Sequence, residues 1–251
     1  MVRSKPKAYQ AFKDNIADAE ALLGYAVAFN NQRSRRMRKE LRDRIGDALG
    51  IPQKHRDQLD CLQSRDVFMV FPPAGALSRD HFRDLRPLLR QSLVAACAAL
   101  ESYVADKAME FVGQAIRAPS PPPRMRSIPL TVGRWIEIER SYERTGWAIR
   151  DVVGEYVQET SSTAPNRIGE VLSAVGVKNW IKRVDQARGL KPGTTERELK
   201  AITERRNRIA HTADRHGRGR APLDVDEVVA HLYTINSIVD TTEDLLKDHK
   251  L

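Results

Sequence analysis

The amino-acid sequence predicts an all-α protein, and three observations support that fold class. Aromatic residues make up only 6% of the 251 residues, and β-branched residues nowhere alternate convincingly with polar ones as in a half-buried strand. Ala, Leu, Arg, Glu and Asp instead fill long segments in which apolar side chains recur every three or four residues. The composition, 41% hydrophobic and 30% charged, is that of a globular chain, and its longest apolar run, Leu93 to Leu100, is too short to span a bilayer.

The N-terminal part of the chain is predicted to contain two helices, about Lys7 to Phe29 and Arg33 to Leu49. Each has one apolar face. The inward residues are Phe12, Ile16, Ala19, Leu22, Leu23 and Ala26 in the first helix, and Met37, Leu41, Ile45 and Leu49 in the second. A short β-prone run, Val67 to Phe71, is closed by two prolines and is predicted to be an extended segment packed on helices.

The strongest predicted helix begins after Pro87 and runs to about Ile116, with Ser78-Arg79-Asp80 as an earlier helix start. Its apolar stripe consists of Leu93, Cys97, Leu100, Val104, Ala108, Phe111 and Val112. The Pro-rich stretch Ala118 to Pro123 follows it and is predicted to be an extended connector. That connector is long enough to let the next helix return alongside.

The remaining helices are predicted from the same three-to-four spacing. Their ranges are Thr131 to Gln158 (one or two helices, broken near Gly146 or Gly154), Arg167 to Val175, Val177 to Arg188, Thr194 to about His211, and Asp224 to Lys247. The residues expected to face inward are Trp135, Ile138, Tyr142, Ile149, Leu199, Ile202, Ile209, Val228, Val229, Leu232, Ile235, Val239 and Leu246. A polar loop, Asp214 to Pro222, separates the last two helices.

The charge balance is compatible with an anionic partner but does not identify one. Lys and Arg number 42 against 33 Asp and Glu, which gives a net charge of +9 and a pI near 9.7. Nucleic acid fits this balance, but charge alone favours the alternative, an Arg-rich composition that reflects genomic base bias and solvated helix faces. With two cysteines the sequence indicates neither a disulfide framework nor a zinc site, and no cofactor is expected. The N-terminus lacks the apolar stretch of a secretory signal, so the expected location is the cytoplasm.

One cluster of polar residues stands out, in the helix that begins at Thr194. Asn207 and His211 are four residues apart and therefore share one helix face, and Arg206 lies beside them at the edge of the apolar stripe. Histidine can transfer a proton near neutral pH, and arginine can hold the charge of a reacting phosphate without a metal. Clustered carboxylates with metal-ligand spacing are missing from the sequence. The alternative is structural: His211 caps the helix C-terminus and Arg206 pairs with a carboxylate.

The stretch Arg205-Arg206-Asn207-Arg208-Ile209-Ala210-His211 resembles the signature of the HEPN superfamily, an Arg followed by a polar residue and by a His four to six residues beyond the Arg. A second segment agrees. The Ala-rich helix that leads into Leu100-Glu101-Ser102-Tyr103 is similar to the opening helix of the RiboL-PSP type of HEPN domain. The resemblance covers roughly Asp80 to Lys247 and leaves out the first 75 or so residues.

The resemblance implies a HEPN-like helical bundle with additional N-terminal helices: residues 1–77 as a helical extension and residues 78–251 as the catalytic domain. It further implies a homodimer in which two motifs share one cleft, and metal-independent endoribonuclease activity. Such proteins are typically toxins or phage-defence effectors, so an antitoxin or a defence-system partner is expected. Carried over by position, Arg206 binds the scissile phosphate, His211 is the acid-base residue, and Asn207 supports both.

Several neighbours of the motif have two readings each. Glu101 could reach Arg205 or Arg206 and orient it, or it could be an ordinary helix-edge residue. The Gly-rich loop after the motif could be a mobile phosphate-gripping segment or a solvated turn. The residues expected to bind RNA are Arg205, Arg208, Arg215, Arg218 and Arg220. His216 is a second candidate acid, and His231 is expected to be a core histidine.

The basic segment Arg33 to Arg44 could follow an RNA backbone, dock an acidic antitoxin, or form a solvated face. For the whole chain, the alternative to a ribonuclease is a non-catalytic helical module that binds nucleic acid or protein. A DNA-binding regulator is less favoured, because the sequence has no convincing helix-turn-helix pattern. No membrane partner is expected.

Overall fold

The computed structural model describes residues 7–31, 39–61, 86–141, 145–217, 219–247 and 249. Within these ranges the chain forms ten α-helices, one 3₁₀ segment (Gln53–Cys61) and one two-stranded hairpin. The helices are α1 (Ala8–Asn31), α2 (Lys39–Ala48), α3 (Arg86–Arg117), α4 (Pro123–Arg126), α5 (Val132–Ser141), α6 (Thr145–Thr160), α7 (Pro165–Ala174), α8 (Trp180–Ala187), α9 (Thr194–Thr212) and α10 (Val225–Leu246). Strands β1 (Arg215–His216) and β2 (Gly219–Arg220) lie between α9 and α10. The predicted all-α fold class is confirmed.

Helix α3 is the centre of the fold. It is rich in Ala and Leu, which are strong helix formers, and Pro87 stands in the first turn, where its missing N–H removes no helical hydrogen bond. Helices α1, α6, α7, α9 and α10 pack around it. The predicted apolar stripe is confirmed from Leu93 to Val112, with Phe111 only partly buried.

Helix α1 belongs to the same core, although it lies in the N-terminal extension. Phe12, Ile16 and Ala19 are buried in the cluster that α3 contributes to. The Ser92 hydroxyl of α3 donates a hydrogen bond to the Ala19 carbonyl oxygen at 2.7 Å, which requires the two helices to approach closely. The extension therefore supplies one wall of the core. The predicted boundary at residues 77 and 78 lies outside the described residues and stays a prediction.

Helix α2 and the 3₁₀ segment form a small unit with their own apolar contact. Ile45 and Leu59 are buried against each other, with Ile51 packed beside them. Arg56 ties the unit together through ion pairs with Asp43 and Asp47, the latter at 2.5 Å. Residues 32–38 and 62–85 lie outside the described residues. They include most of the basic segment, Met37 of the predicted second helix, the run Val67 to Phe71 and the helix start at Ser78.

Among the described residues, four that were predicted to face inward are exposed instead. Leu49, which follows the end of α2, is 38% exposed. Trp135 is 48% exposed and Ile149 is 38% exposed, because α5 packs chiefly against α6 and nothing described covers the rest of their surface. Ile138 is the residue of α5 that is buried. Val229 is 46% exposed because it follows the buried Val228 and is turned about 100° around the helix from it.

Two connections contain more structure than the sequence predicted. The Pro-rich connector ends in the single-turn helix α4, for which Pro123 supplies the first residue, a position that proline favours. The polar loop after α9 contains the β-hairpin. None of the described helices combines the length and the apolar character that crossing a membrane requires.

Candidate active site

Helix α9 is fixed at its start by α8. Gly193 adopts φ 80°, and its N–H and that of Thr195 donate hydrogen bonds to the two carboxylate oxygens of Asp185 at 2.7 Å and 2.8 Å. Burial acts to raise the pKa of the Asp185 carboxyl, but these hydrogen bonds outweigh it and hold the pKa below its usual value. The first turn of α9 is therefore capped by an ionised aspartate.

Three sides of α9 meet three different environments. Leu199 and Ile202 face the core, and Arg205 is buried on the side of α10 and the hairpin. Arg206 and Asn207 are half-buried, whereas His211 is exposed in the last turn. Arg206 and Asn207 therefore lie at the boundary between core and solvent, and His211 lies on the solvent side of it.

Arg206 is held by Glu101 of α3 and by its own neighbour. The Nη2 group of Arg206 forms an ion pair and hydrogen bond with Glu101 Oε1, and its Nη1 donates to Asn207 Oδ1 at 3.1 Å. The Arg206 and Glu101 side chains are 22% and 26% exposed. Glu101 Oε1 also accepts a hydrogen bond from the Thr163 N–H at 3.2 Å. The structure thus joins Glu101 to Arg206 and not to Arg205.

Cys97 lies one turn before Glu101 and close enough to Arg206 for the two side chains to interact, a proximity that the sequence did not reveal. Burial raises the pKa of the Cys97 thiol to about 12, against the opposing effect of the Arg206 charge. At neutral pH the thiol is therefore protonated, so it neither neutralises Arg206 nor acts as a nucleophile. The signal that could have indicated this proximity is the spacing of four residues between Cys97 and Glu101, which places both on the same face of one helix.

His211 has no hydrogen-bond partner for its ring among the residues the structure describes. The carbonyl oxygen of Arg208 accepts instead from the Thr212 hydroxyl at 2.7 Å and from the Asp214 N–H at 2.9 Å. The end of α9 is thus closed by a left-handed turn, with φ 50° at Ala213, and not by the imidazole. The exposed ring of His211 is free to meet a ligand.

Arg205 does not have the role that the sequence suggested. Its side chain is 7% exposed and pairs with Asp214 at 3.3 Å and with Glu227 at 3.4 Å. It also donates to the Pro222 carbonyl oxygen at 2.5 Å. The expectation that Arg205 binds RNA is corrected, because its guanidinium group is enclosed by the protein and forms its ion pairs there.

Asp214, which pairs with Arg205, is fully buried and accepts from a second arginine. Arg90 of α3 contacts the other Asp214 oxygen at 2.9 Å and donates to the Ala221 carbonyl oxygen at 2.8 Å. We call Arg90, Asp214 and Arg205 the buried ion cluster. Because it links α3, α9 and both ends of the hairpin, it fixes the chain that follows His211.

The other cations expected to bind RNA lie on the solvent side. Arg208, Arg215 and Arg220 are exposed, whereas Arg218 and the side chain of His216 lie outside the described residues. His231 is at the edge of the core, 3.8 Å from Glu227. Burial lowers the pKa of His231, an effect that the Glu227 charge opposes.

A groove elsewhere contains none of the candidate site residues. It has a volume of about 490 Å³ and lies between α5 and α6, where its lining includes Leu130, Arg134, Glu155 and Tyr156. Among the described residues, no three His, Cys, Asp or Glu side chains gather as metal ligands would. The candidate site is accordingly the open surface around Arg206 and His211.

Comparison with known proteins gives one finding. A family model described as RiboL-PSP-HEPN matches residues 76–248, more than half of the chain. The matched range includes Glu101, Arg206, Asn207 and His211 and leaves out α1 and α2. Neither the comparison with curated proteins nor the comparison with solved structures gives a match.

Proposed function

The chain belongs to the RiboL-PSP-HEPN family, and from that premise we propose that it is a metal-independent endoribonuclease. HEPN domains commonly bind RNA and dimerise. The observation that carries the proposal is the guanidinium group of Arg206, held by Glu101 and Asn207 five residues before the exposed His211 on the same helix. A guanidinium group that can bind phosphate and an unengaged imidazole are the groups that metal-independent cleavage of a phosphodiester uses.

In the proposed reaction the ribose 2′-hydroxyl attacks the neighbouring phosphorus, and the bond from phosphorus to the 5′-oxygen breaks. The products are a 2′,3′-cyclic phosphate and a 5′-hydroxyl. His211 takes the proton of the 2′-hydroxyl or gives one to the departing 5′-oxygen, a step worth roughly 10²- to 10⁴-fold in rate. Arg206 stabilises the negative charge that grows on the phosphate oxygens. Arg guanidinium has five N–H donors, so those not used by Glu101 and Asn207 remain for this contact.

The arginines near the motif supply the binding surface of the proposed enzyme. Arg208, Arg215, Arg218 and Arg220 would contact the RNA backbone, which gives affinity without sequence specificity. Arg205 is excluded from this set because it belongs to the buried ion cluster.

The decisive experiment measures RNA cleavage in EDTA by the wild type, Arg206→Ala and His211→Ala. Each substitution should lower the rate at least about a hundredfold, since it removes the phosphate ligand or the proton-transfer group. Arg197→Ala is the matched control, because Arg197 is an exposed arginine on the same helix whose side chain contacts Thr194. The product ends are identified with a phosphatase: a 2′,3′-cyclic phosphate resists the treatment, and a 5′-hydroxyl can be labelled without it. A wild type that cleaves no RNA class, or variants as active as Arg197→Ala, would refute the catalytic assignment.

A non-catalytic module that binds nucleic acid or protein is the second candidate, and the Glu101–Arg206 pair favours it as well. That pair joins α3 to α9 and would do so in a protein without chemistry. Growth arrest on expression separates the two functions. A ribonuclease that acts as a toxin or defence effector should lose its toxicity with His211→Ala, whereas a binding module should be unaffected.

The proposed enzyme works as a homodimer with one shared cleft. An exposed His211 in a single copy leaves the reacting group open to water on one side. Two motifs facing each other would enclose the phosphate and supply one imidazole for each of the two proton transfers. We expect a solution mass of twice the 28.4 kDa monomer at micromolar concentration. A monomeric mass would contradict the shared cleft.

A further inference from the structure

The hairpin that follows the motif has a defined register. Arg215 pairs with Arg220, and His216 pairs with Gly219. The Ala221 N–H donates to the Asp214 carbonyl oxygen at 2.7 Å, so residues 214 and 221 form the hydrogen-bonded pair next to them. Hydrogen-bonded and non-hydrogen-bonded pairs alternate along an antiparallel ladder. Arg215 and Arg220 are therefore a non-hydrogen-bonded pair, in which the Cα atoms lie only about 4.5 Å apart.

The direction of these two side chains follows from their pairing and their exposure. Residues that lie directly opposite each other in an antiparallel pair place their side chains on the same face of the ladder. Arg215 and Arg220 are such a pair, and both are exposed. Their shared face is therefore the one that points to solvent.

The hairpin is held in this position before any ligand binds. Arg90 donates to the carbonyl oxygen of Ala221, and Arg205 donates to that of Pro222. Both cations of the buried ion cluster therefore hold the chain directly after β2. Ala213 and Asp214 have φ values of 50° and 58°, left-handed conformations that non-glycine residues adopt at a cost. The contacts of Asp214 maintain that strained turn.

The exposed pair is electrostatically incomplete. Like charges directly opposite each other in a ladder are destabilising. Among the residues that the structure describes, neither Arg215 nor Arg220 has a carboxylate partner. Two guanidinium groups that leave the same face of the hairpin suit a phosphate, which arginine binds through paired hydrogen bonds.

We propose that Arg215 and Arg220 form a preformed clamp for a second phosphate of the RNA, beyond the one that Arg206 binds. This inference rests on the proposed ribonuclease function. Arg215 follows His211 by four residues, so their Cα atoms are within about 14 Å, a span that one or two nucleotides cover. The substrate is accordingly an RNA strand that continues past the cleaved bond. A preformed clamp avoids the entropic cost of ordering a loop on binding.

The experiment compares two substrates, a dinucleotide with only the scissile phosphate and the same dinucleotide extended by three nucleotides on each side. The double substitution Arg215→Gln with Arg220→Gln should lose at least tenfold more kcat/KM on the extended substrate than on the dinucleotide, mainly through KM. Arg126→Gln with Arg140→Gln is the matched control, because it removes two exposed positive charges from α4 and α5. The control should change both substrates by the same factor.

A binding measurement tests the clamp without relying on cleavage. For a 2′-O-methyl oligonucleotide, which lacks the attacking hydroxyl, the slope of log Kd against log salt concentration should fall by about 0.7 in the double variant, the value for one lost phosphate contact. The control pair should keep the wild-type slope. Removing two like charges that face each other should not impair folding. Equal unfolding midpoints of the wild type and the double variant would verify this. The single substitutions Arg215→Gln and Arg220→Gln are judged by the same criteria.

The outcomes separate the clamp from the proposed function. If the double variant loses the same factor on both substrates and keeps the wild-type salt slope, the clamp is overturned and the ribonuclease remains. If the wild type cleaves neither substrate, the proposed function fails, and the salt slope alone decides. A reduced slope then supports the clamp as a nucleic-acid contact, whereas an unchanged slope overturns it.

Discussion

Arg205 and Arg206 are neighbours in the sequence but face opposite kinds of environment. Arg205 is 7% exposed, forms ion pairs with Asp214 and Glu227, and donates a hydrogen bond to a carbonyl oxygen. Arg206 is 22% exposed and lies between Glu101 and the open surface. A step of one residue turns a helix by about 100°, which is enough to move a guanidinium group from the core to its rim. The motif therefore contains one structural arginine, Arg205, and one candidate catalytic arginine, Arg206.

The two carboxylates that hold these arginines differ in the same way. Asp214 is fully buried and contacts two arginines, whereas the Glu101 side chain is 26% exposed and pairs with one. Breaking a buried ion pair leaves uncompensated charge in a medium of low polarity, but a partly solvated pair is screened by water. Isosteric amides at the two positions should therefore have different consequences.

The largest effect on stability is expected for Asp214→Asn. Asparagine tolerates the left-handed φ of 58° at this position, so the substitution removes the charge and leaves the turn possible. Arg90 and Arg205 then lack their shared anion, which should cost about 3–5 kcal/mol of unfolding free energy. Urea unfolding followed by circular dichroism measures the loss. A change below about 1 kcal/mol would remove the distinction between the two sides of α9.

A smaller and different effect is expected for Glu101→Gln. The amide keeps the shape and one acceptor oxygen but loses the charge that orients Arg206, so kcat should fall about ten- to hundredfold, as for other groups that orient a site residue. The unfolding free energy should change by no more than about 1 kcal/mol, because the pair is partly exposed. Single-turnover cleavage and urea unfolding give the two values.

Glu110→Gln is the matched control for that substitution. Glu110 is also on α3 but pairs with Lys107 and accepts from the Ala8 N–H, far along the helix from Arg206. It should leave kcat unchanged. If Glu101→Gln keeps the wild-type kcat, or if its activity falls only in step with its stability, Glu101 does not position Arg206 for the reaction.

Much of the fold was predictable because helical spacing records which face of each helix is buried. The apolar stripe of α3 and the placement of Arg206 and Asn207 at the edge of the core follow from periods of three and four, whereas His211 lies out in solvent. The exposure of Trp135 was not predictable, because an apolar stripe reports an affinity for a partner and not whether one is present.

The different environments of Arg205 and Arg206 could not be predicted either, because they depend on contacts between residues that are far apart in the sequence. They depend on Asp214 and Arg90, which are 124 residues apart and meet only after folding. The hairpin register likewise depends on the left-handed turn at Ala213 and Asp214, whose residue types give little sign of it. Glu101 was within reach of either arginine on spacing alone, and only the packing of α3 against α9 selects Arg206.

The smallest effect is expected at the other end of α9, for Asp185→Asn. Each carboxylate oxygen accepts one N–H, from Gly193 and from Thr195, and an amide has a single acceptor oxygen, so one bond is lost at a cost of about 1 kcal/mol.

Because the folded state holds the pKa of Asp185 below its usual value, this stabilisation is complete above the unfolded pKa of about 4 and disappears as the pH falls through the folded pKa. The difference in Tm between wild type and Asp185→Asn should therefore be largest at neutral pH and shrink below pH about 4. Cleavage of RNA should be unchanged, since the motif lies three turns or more away along α9; a loss of kcat like that of Glu101→Gln would show that the whole helix, and not its Arg206 side, sets the geometry of the site.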